Sequence, residues 1–439
     1  MQRCASVRIA TQRAAGRFAR SGEPPRRPLR RVGSPPLVAA VLRSNPSLRR
    51  LLGAWLQSCL GTGAGYVALL LLTLRYLHTS WAVAGVLLAD FLPAIAFGSW
   101  FGALADRYPR RLLVVNANLL QAAAWAGLAL THGAAPILPL ALLAGIGNAL
   151  LRPALRSALP VVAGDASQVA VAWYDTCRWV GITVGPLIAA ALFALSGVAL
   201  PLALNGISFL IAAAMMTTVA IDSPAGTETH HETAGSGVRA GLAVAFAAPG
   251  IAAVVACSAG SIIAGGLLNV CEPIFATKTL HGSSSDYALL VASYGGGMVS
   301  ASALVARRGS VPAVLIVRRY LAALTLTAAG MTGSAIVGSI LPAAVAFAGT
   351  GYANALLLVS ETQLIQLRVP NSVQGRLFGA KDTVEGACFL VGLLAAGALV
   401  AVAGVRFTLA AGAAICGVCV LAALATLRPQ LVSPATGRA

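Results

Sequence analysis

The chain has 439 residues, of which 58% are hydrophobic and only 10% charged, against about 25% charged in an ordinary soluble domain. So few ionisable groups cannot cover a water-exposed surface, which argues against a soluble enzyme and for helices solvated directly by hydrocarbon. The net charge of +18 would suggest nucleic acid as a partner in a soluble protein, but the basic residues lie between apolar segments, so no nucleic-acid partner is expected.

Residues 1–50 hold twelve arginines and one acidic residue, Glu23, among Pro-rich runs. That composition cannot bury a core, so residues 1–45 read as a disordered basic arm. Twelve apolar stretches follow, each long enough to cross about 30 Å of hydrocarbon as a helix. The first six run over 51–74, 82–101, 112–130, 137–155, 178–196 and 200–220. The second six run over 251–275, 287–305, 313–333, 341–363, 383–403 and 407–427. The fold class is therefore all-α and integral to the membrane. Residues 46–221 form one six-helix half, 222–249 a cytoplasmic linker, 250–428 a second half and 429–439 a tail.

Arginines at 107, 110, 111, 156, 239, 307, 308, 368 and 376 all fall on one side of this alternation, and Arg75, Lys278 and Arg406 on the other. An excess of basic residues marks cytoplasmic loops, so both termini are expected in the cytoplasm of a multi-pass plasma (inner) membrane protein. The adjacent His230 and His231 of the linker lack further ligands at metal spacing, and no metal or cofactor is expected. The eight cysteines lie mostly inside apolar spans, where they act as small hydrophobes.

After the second span the chain reads Gly102-Ala-Leu-Ala-Asp106-Arg107-Tyr-Pro-Arg110-Arg111. This resembles the Gly-x-x-x-Asp-Arg-x-Gly-Arg-Arg loop of the major facilitator superfamily, with Pro109 where the family has Gly. A small residue there allows close helix approach, and Asp106 with the arginines can latch the two halves at the cytoplasmic side. The fifth span contains Gly181-Ile-Thr-Val-Gly185-Pro186, similar to the motif of the superfamily's exporter branches, where close packing at the glycines meets a bend at the proline. A third stretch, Gln363 to Gly379, resembles the enterobactin-exporter and macrolide-efflux type. The resemblance covers residues 45–427 and implies alternating access with export of a small molecule. Its comparison also sets Asp382 and Glu385, in the first turns of the eleventh span, opposite the Asp106 loop as members of the gate.

Carboxylates inside apolar spans carry the coupling chemistry, because a charge near the bilayer centre costs about 2.5–3.5 kcal/mol and so faces protein or water. Asp90, midway through the second span, and Glu272, in the seventh, are the proton-coupling candidates; the alternative for each is a fixed interhelical hydrogen bond or ion pair. Asp175 and Arg178, three residues apart, read as a local ion pair. Polar groups on the first, fourth, seventh and tenth spans are the cavity candidates: Gln57, Asn148, Asn269, Tyr352 and Asn354, with Arg152 as an attractor for an anionic group. The expected partners are a small-molecule substrate, protons and the lipid bilayer, with the chain acting as a monomer. No metal-binding Asp-x-x-Asp pair or phosphate-cradling loop is present in the sequence, which argues against a membrane enzyme and against ATP as the energy source.

Overall fold

The computed structural model describes residues 44–219, 221, 234–247, 250–308 and 311–432. Residues 1–43 of the basic arm and the His230–His231 pair lie outside these residues. The first half is built from α1 (Pro46–Leu77), α2 (Ser80–Arg107), α3 (Arg110–Ala129), α4 (Ile137–Ala163), α5 (Ser167–Ser196) and α6 (Ala199–Thr217). After α7 (Ala234–Ala247), the second half comprises α8 (Ile251–Ile274), α9 (Ser284–Arg308), α10 (Ala313–Ile336), α11 (Ile340–Arg368) and α12 (Asn371–Val432). Apart from the short α7, each of these helices is long and apolar enough to cross a membrane.

The last apolar stretch is 55 residues long, which at about 1.5 Å per residue is more than twice the thickness of a hydrocarbon core. Gly404 divides it. With φ 83° and ψ 173°, its backbone occupies a region open essentially to glycine alone, and the helix changes course there. The 371–403 and 405–432 segments of α12 are thus two apolar helices, which gives twelve helices of membrane-spanning length among the described residues.

Local chemistry sets the other boundaries. Thr79 Oγ1 accepts a hydrogen bond from the Ala82 amide and caps α2, while Pro109, at φ −54° and with no amide to satisfy, stands immediately before α3. The expected start of the fifth span at 178 is corrected to Ser167. Charged residues do not break this helix because they find partners on it or beside it: Asp175 lies 3.8 Å from Arg156 of α4, and the Arg178 guanidinium sits 5.1 Å from the centre of the Trp179 ring. Asp175 thus pairs between helices with Arg156, and it also lies within electrostatic reach of Arg178, the partner expected along the helix. The eleventh span likewise begins earlier than expected, at Asn371 directly after Pro370.

Within the first half α1 packs on α5 and α6, α2 on α4, and α3 on α4 and α6; within the second α8 packs on α12, α9 on α11, and α10 on α11 and α12. The halves meet along two antiparallel seams, α2 against α12 and α5 against α9. In a bilayer these contacts rest on close van der Waals fit rather than on removal from water. The second half accordingly has an interlocked core of Val254, Tyr320, Leu324, Leu357 and Leu364. Helix α7 lies against 371–403, with Gly241 beside Arg376 and Ala380, so this part of the expected linker is a docked helix.

Candidate functional site

The loops carrying the arginines define a basic end of the bundle, and the α1–α2 and α8–α9 turns define the opposite end. Glycines fix the helices around the bundle axis. A β-carbon on Gly185 of α5 would fall 2.7 Å from Gly63 Cα of α1, so the two backbones touch at the Gly-x-x-x-Gly-Pro segment. Thr183, on another face of the same stretch, lies against Gly295 of α9. One turn of α5 thus contacts α1 in its own half and α9 in the other.

Asp90 is placed by a similar approach. A β-carbon on Gly145 of α4 would meet the carbonyl oxygens of Ala89 and Asp90 at 2.6 Å, which locks the Asp90 backbone against α4. Pro93, inside α2, has no amide to bond the Ala89 carbonyl and loosens the helix beside the carboxylate. Asp90 is half-buried, with the Arg152 guanidinium of α4 within electrostatic reach. Glu272 of α8 is buried and is followed by Pro273 and a wide helical turn at Phe275–Thr279. Such a turn departs from regular α-helical bonding, a feature common at functional sites.

Tyr66 of α1 lies near both acids. Its hydroxyl donates to Asn269 Oδ1 of α8 at 3.4 Å, and it lies within electrostatic reach of both Asp90 and Glu272. Tyr287 and Tyr294 of α9 also reach Glu272, and the buried Tyr287 hydroxyl makes no hydrogen bond among the described residues. One carboxylate from each half therefore lies within electrostatic reach of the Tyr66 hydroxyl, and Glu272 alone also reaches Tyr287 and Tyr294.

The remaining cavity candidates divide. Gln57 donates to the Ser208 carbonyl of α6 at 2.7 Å, an interhelical bond inside its own half that occupies its amide. The Asn269 amide donates back to Gly265 while its oxygen faces Tyr66. Tyr352 of α11 joins Trp179 of α5 and Tyr294 and Met298 of α9 in an aromatic cluster across the α5–α9 seam. Asn148 of α4, Asn354 of α11 and Arg152 are half-buried.

Besides the Tyr66–Asn269 bond, side-chain hydrogen bonds between the halves among the described residues lie at the opposite end: Ser80 Oγ to the Gly397 carbonyl at 2.9 Å, Lys278 Nζ to the His78 carbonyl at 2.9 Å, and Ser285 Oγ to the Ala190 carbonyl at 3.1 Å. Deeper along the α2–α12 seam, Phe91 meets Phe389 edge-on at 5.0 Å and Ile95 covers Gly386. Continued along this antiparallel pair, the register sets Asp106 level with about residue 375. Asp382 and Glu385 lie deeper in the bundle than that level. They are also 11 and 14 residues into α12 and not in its first turns, which corrects the expectation that they cap a helix start.

Gly102 has open space where a β-carbon would stand, so no close helix approach depends on it in this conformation. Arg107 is exposed and Arg110 and Arg111 are half-buried. The Asp106 side chain falls outside the described residues.

Two charged groups escaped the sequence reading. Glu361 of α11 is 1% exposed at its side chain, and Lys381 of α12 is 9% exposed, 3.5 Å from Glu361 and 2.8 Å from Glu385. The signal for Glu361 was present, since it falls within the tenth apolar stretch. Lys381 was hidden because the eleventh stretch was started at residue 383.

Residues 51–380 match the family model described as the Major Facilitator Superfamily. Among curated relatives, uncharacterized MFS-type transporters from two strains of Mycobacterium tuberculosis, CDC 1551 / Oshkosh and H37Rv, are each 30% identical over 118 residues. The matched stretch is 27% of this chain and 28% of each relative. Among solved structures, the POT family transporter PepTSo is similar with a TM-score of 0.68 at 12% identity, over 89% of this chain and 99% of that one. The nucleoside transporter NupG, as its D323A mutant, is similar with a TM-score of 0.67 at 13% identity, over 87% of this chain and all of that one. At such identities the likeness is one of fold. The family match covers most of the chain and agrees with the apolar helices and the paired halves: this multi-pass membrane protein belongs to the Major Facilitator Superfamily of transporters.

Proposed function

We propose that the chain exports a lipophilic, natural-product-like small molecule from the cytoplasm by proton antiport, with residues 46–221 rocking against 250–428 around a central site. The observation that carries this reading is that Asp90 from one half and Glu272 from the other both lie within electrostatic reach of Tyr66, which itself bonds Asn269 of the second half. Two negative charges around one hydroxyl repel, and a proton taken up by either acid removes that repulsion. Protonation and closure of the opposite end are thereby linked, while loss of the proton favours reopening.

The basic end faces the cytoplasm of the plasma (inner) membrane in this reading, and both termini lie there. Closure at the opposite end then corresponds to a state that receives substrate from inside. The Gly181–Pro186 segment, packed on Gly63, supports the outward direction through its likeness to exporter motifs, and the 363–379 stretch supports a drug, macrolide or siderophore-like substrate. Gly102, Asp106, Arg107, Arg110 and Arg111 form the cytoplasmic gate, with Asp382 and Glu385 as its inner layer. Asn148, Arg152, Asn269, Tyr352 and Asn354 contact the substrate. The chain works as a monomer.

The test is retention of a panel of labelled natural products in cells expressing the chain, with and without a protonophore, beside Asp90→Asn and Glu272→Gln. Lower retention of a compound, abolished by the protonophore and by Asp90→Asn, is the expected result. Efflux unchanged in both variants removes the two acids from coupling, and accumulation above the control level reverses the direction to uptake.

A further inference from the structure

A second group of ionisable residues lies away from the central pair, where α8, α11 and α12 meet nearer the basic end. Ser258 Oγ of α8 stands 3.0 Å from Glu361 Oε2 and also in hydrogen-bond contact with Glu385 Oε1. Lys381 Nζ bridges the two acids from α12. A serine hydroxyl has one hydrogen, so it can donate to one carboxylate but not to both. The second contact is satisfied when the other acid carries a proton and donates it to Oγ. Charge leads to the same result independently: two carboxylates against one ammonium leave a net negative charge among side chains that are 1%, 9% and 14% exposed, and one proton cancels it.

We infer that Glu361 and Glu385 share one bound proton, held through Ser258 and Lys381, in a site separate from Asp90 and Glu272. The groups around it fit this assignment. Cys257 of α8 and Tyr320 of α10 reach Glu361, and Cys388 of α12 reaches Glu385; as neutral neighbours they supply no counter-charge. Asp382 adds a further acid beside Lys381 and Glu385, and it is itself within reach of Arg156 of the other half. Glu385 is one residue from Gly386, on which Ile95 of α2 packs, so this site adjoins the seam between the halves.

The inference stands whatever the substrate or direction of transport. Its test is infrared spectroscopy of the purified full-length chain at neutral pH, comparing wild type with Glu361→Gln, Glu385→Gln and Ser258→Ala. The expected result is a carbonyl band of a neutral carboxylic acid that is lost in either glutamine variant, shifted by Ser258→Ala, and kept in Asp90→Asn and Glu272→Gln. With one acid removed, the survivor pairs with Lys381 as a carboxylate, which is why either variant suffices if the other does not fold. Folded glutamine variants that retain every neutral-acid band of the wild type overturn the site. A lost band without protonophore-sensitive efflux leaves the site standing and removes the export reading; proton-driven efflux with no lost band does the reverse.

Discussion

At the residue scale, the candidate site depends on groups that pair across helices rather than along them. Asp175 meets Arg156 of α4, and Gln57 meets α6. The Asp90 and Glu272 neighbourhoods share Tyr66 without either acid forming an ion pair among the described residues. The sequence showed Asp90 and Glu272 plainly, because an acid in an apolar run is conspicuous, but spacing along a chain says nothing about which helix stands opposite. The backbone contact at Gly185 yields a prediction at this scale. Gly185→Ala places a methyl group 2.7 Å from Gly63 Cα, where backbone must yield rather than a side chain. Overpacking of this kind costs about 1–3 kcal/mol, and a lowered melting temperature of the detergent-purified protein checks it.

At the element scale, α12 shows how little the pattern of apolar residues reveals about a helix that bends. Its 55-residue apolar stretch reads as two spans from length alone, and Gly404 is what turns one into the other. Gly404→Ala forces a side chain into backbone space that only glycine occupies, at a cost of about 1–3 kcal/mol. The expected outcome is a lower melting temperature with far-UV circular dichroism unchanged, since both arms remain helical. Helix starts were the least legible feature. The spans beginning at 178 and 383 by hydropathy begin at Ser167 and Asn371 in the fold, because charged residues near the basic end are paired or solvated and continue the helix beyond the hydrocarbon.

At the scale of the whole molecule, the two halves are joined at the end opposite the basic loops by bonds that must break if that end is to open. Lys278 Nζ to the His78 carbonyl is one of them. Lys278→Ala removes a charge-assisted hydrogen bond at an exposed position, worth about 1 kcal/mol, or about a fivefold shift in a two-state equilibrium. Cysteines introduced near that end should accordingly label faster with a membrane-impermeant thiol reagent in the variant, and unchanged labelling would show that the bond does not hold the end shut. The central acids and the Glu361–Glu385 site lie at different depths of the same bundle.

The sequence by itself determined the class of molecule and its succession of apolar helices, because hydrocarbon imposes a length rule that each segment must satisfy locally. Its motifs pointed to the family that the chain as a whole then matched. Tertiary structure alone decided which groups come together: Tyr66 bonded to Asn269 and within electrostatic reach of two acids from different halves, and Ser258 between Glu361 and Glu385. Those meetings join residues more than a hundred positions apart or on helices brought together only by packing. A hydrogen bond depends on distances of a few tenths of an ångström that no local rule encodes.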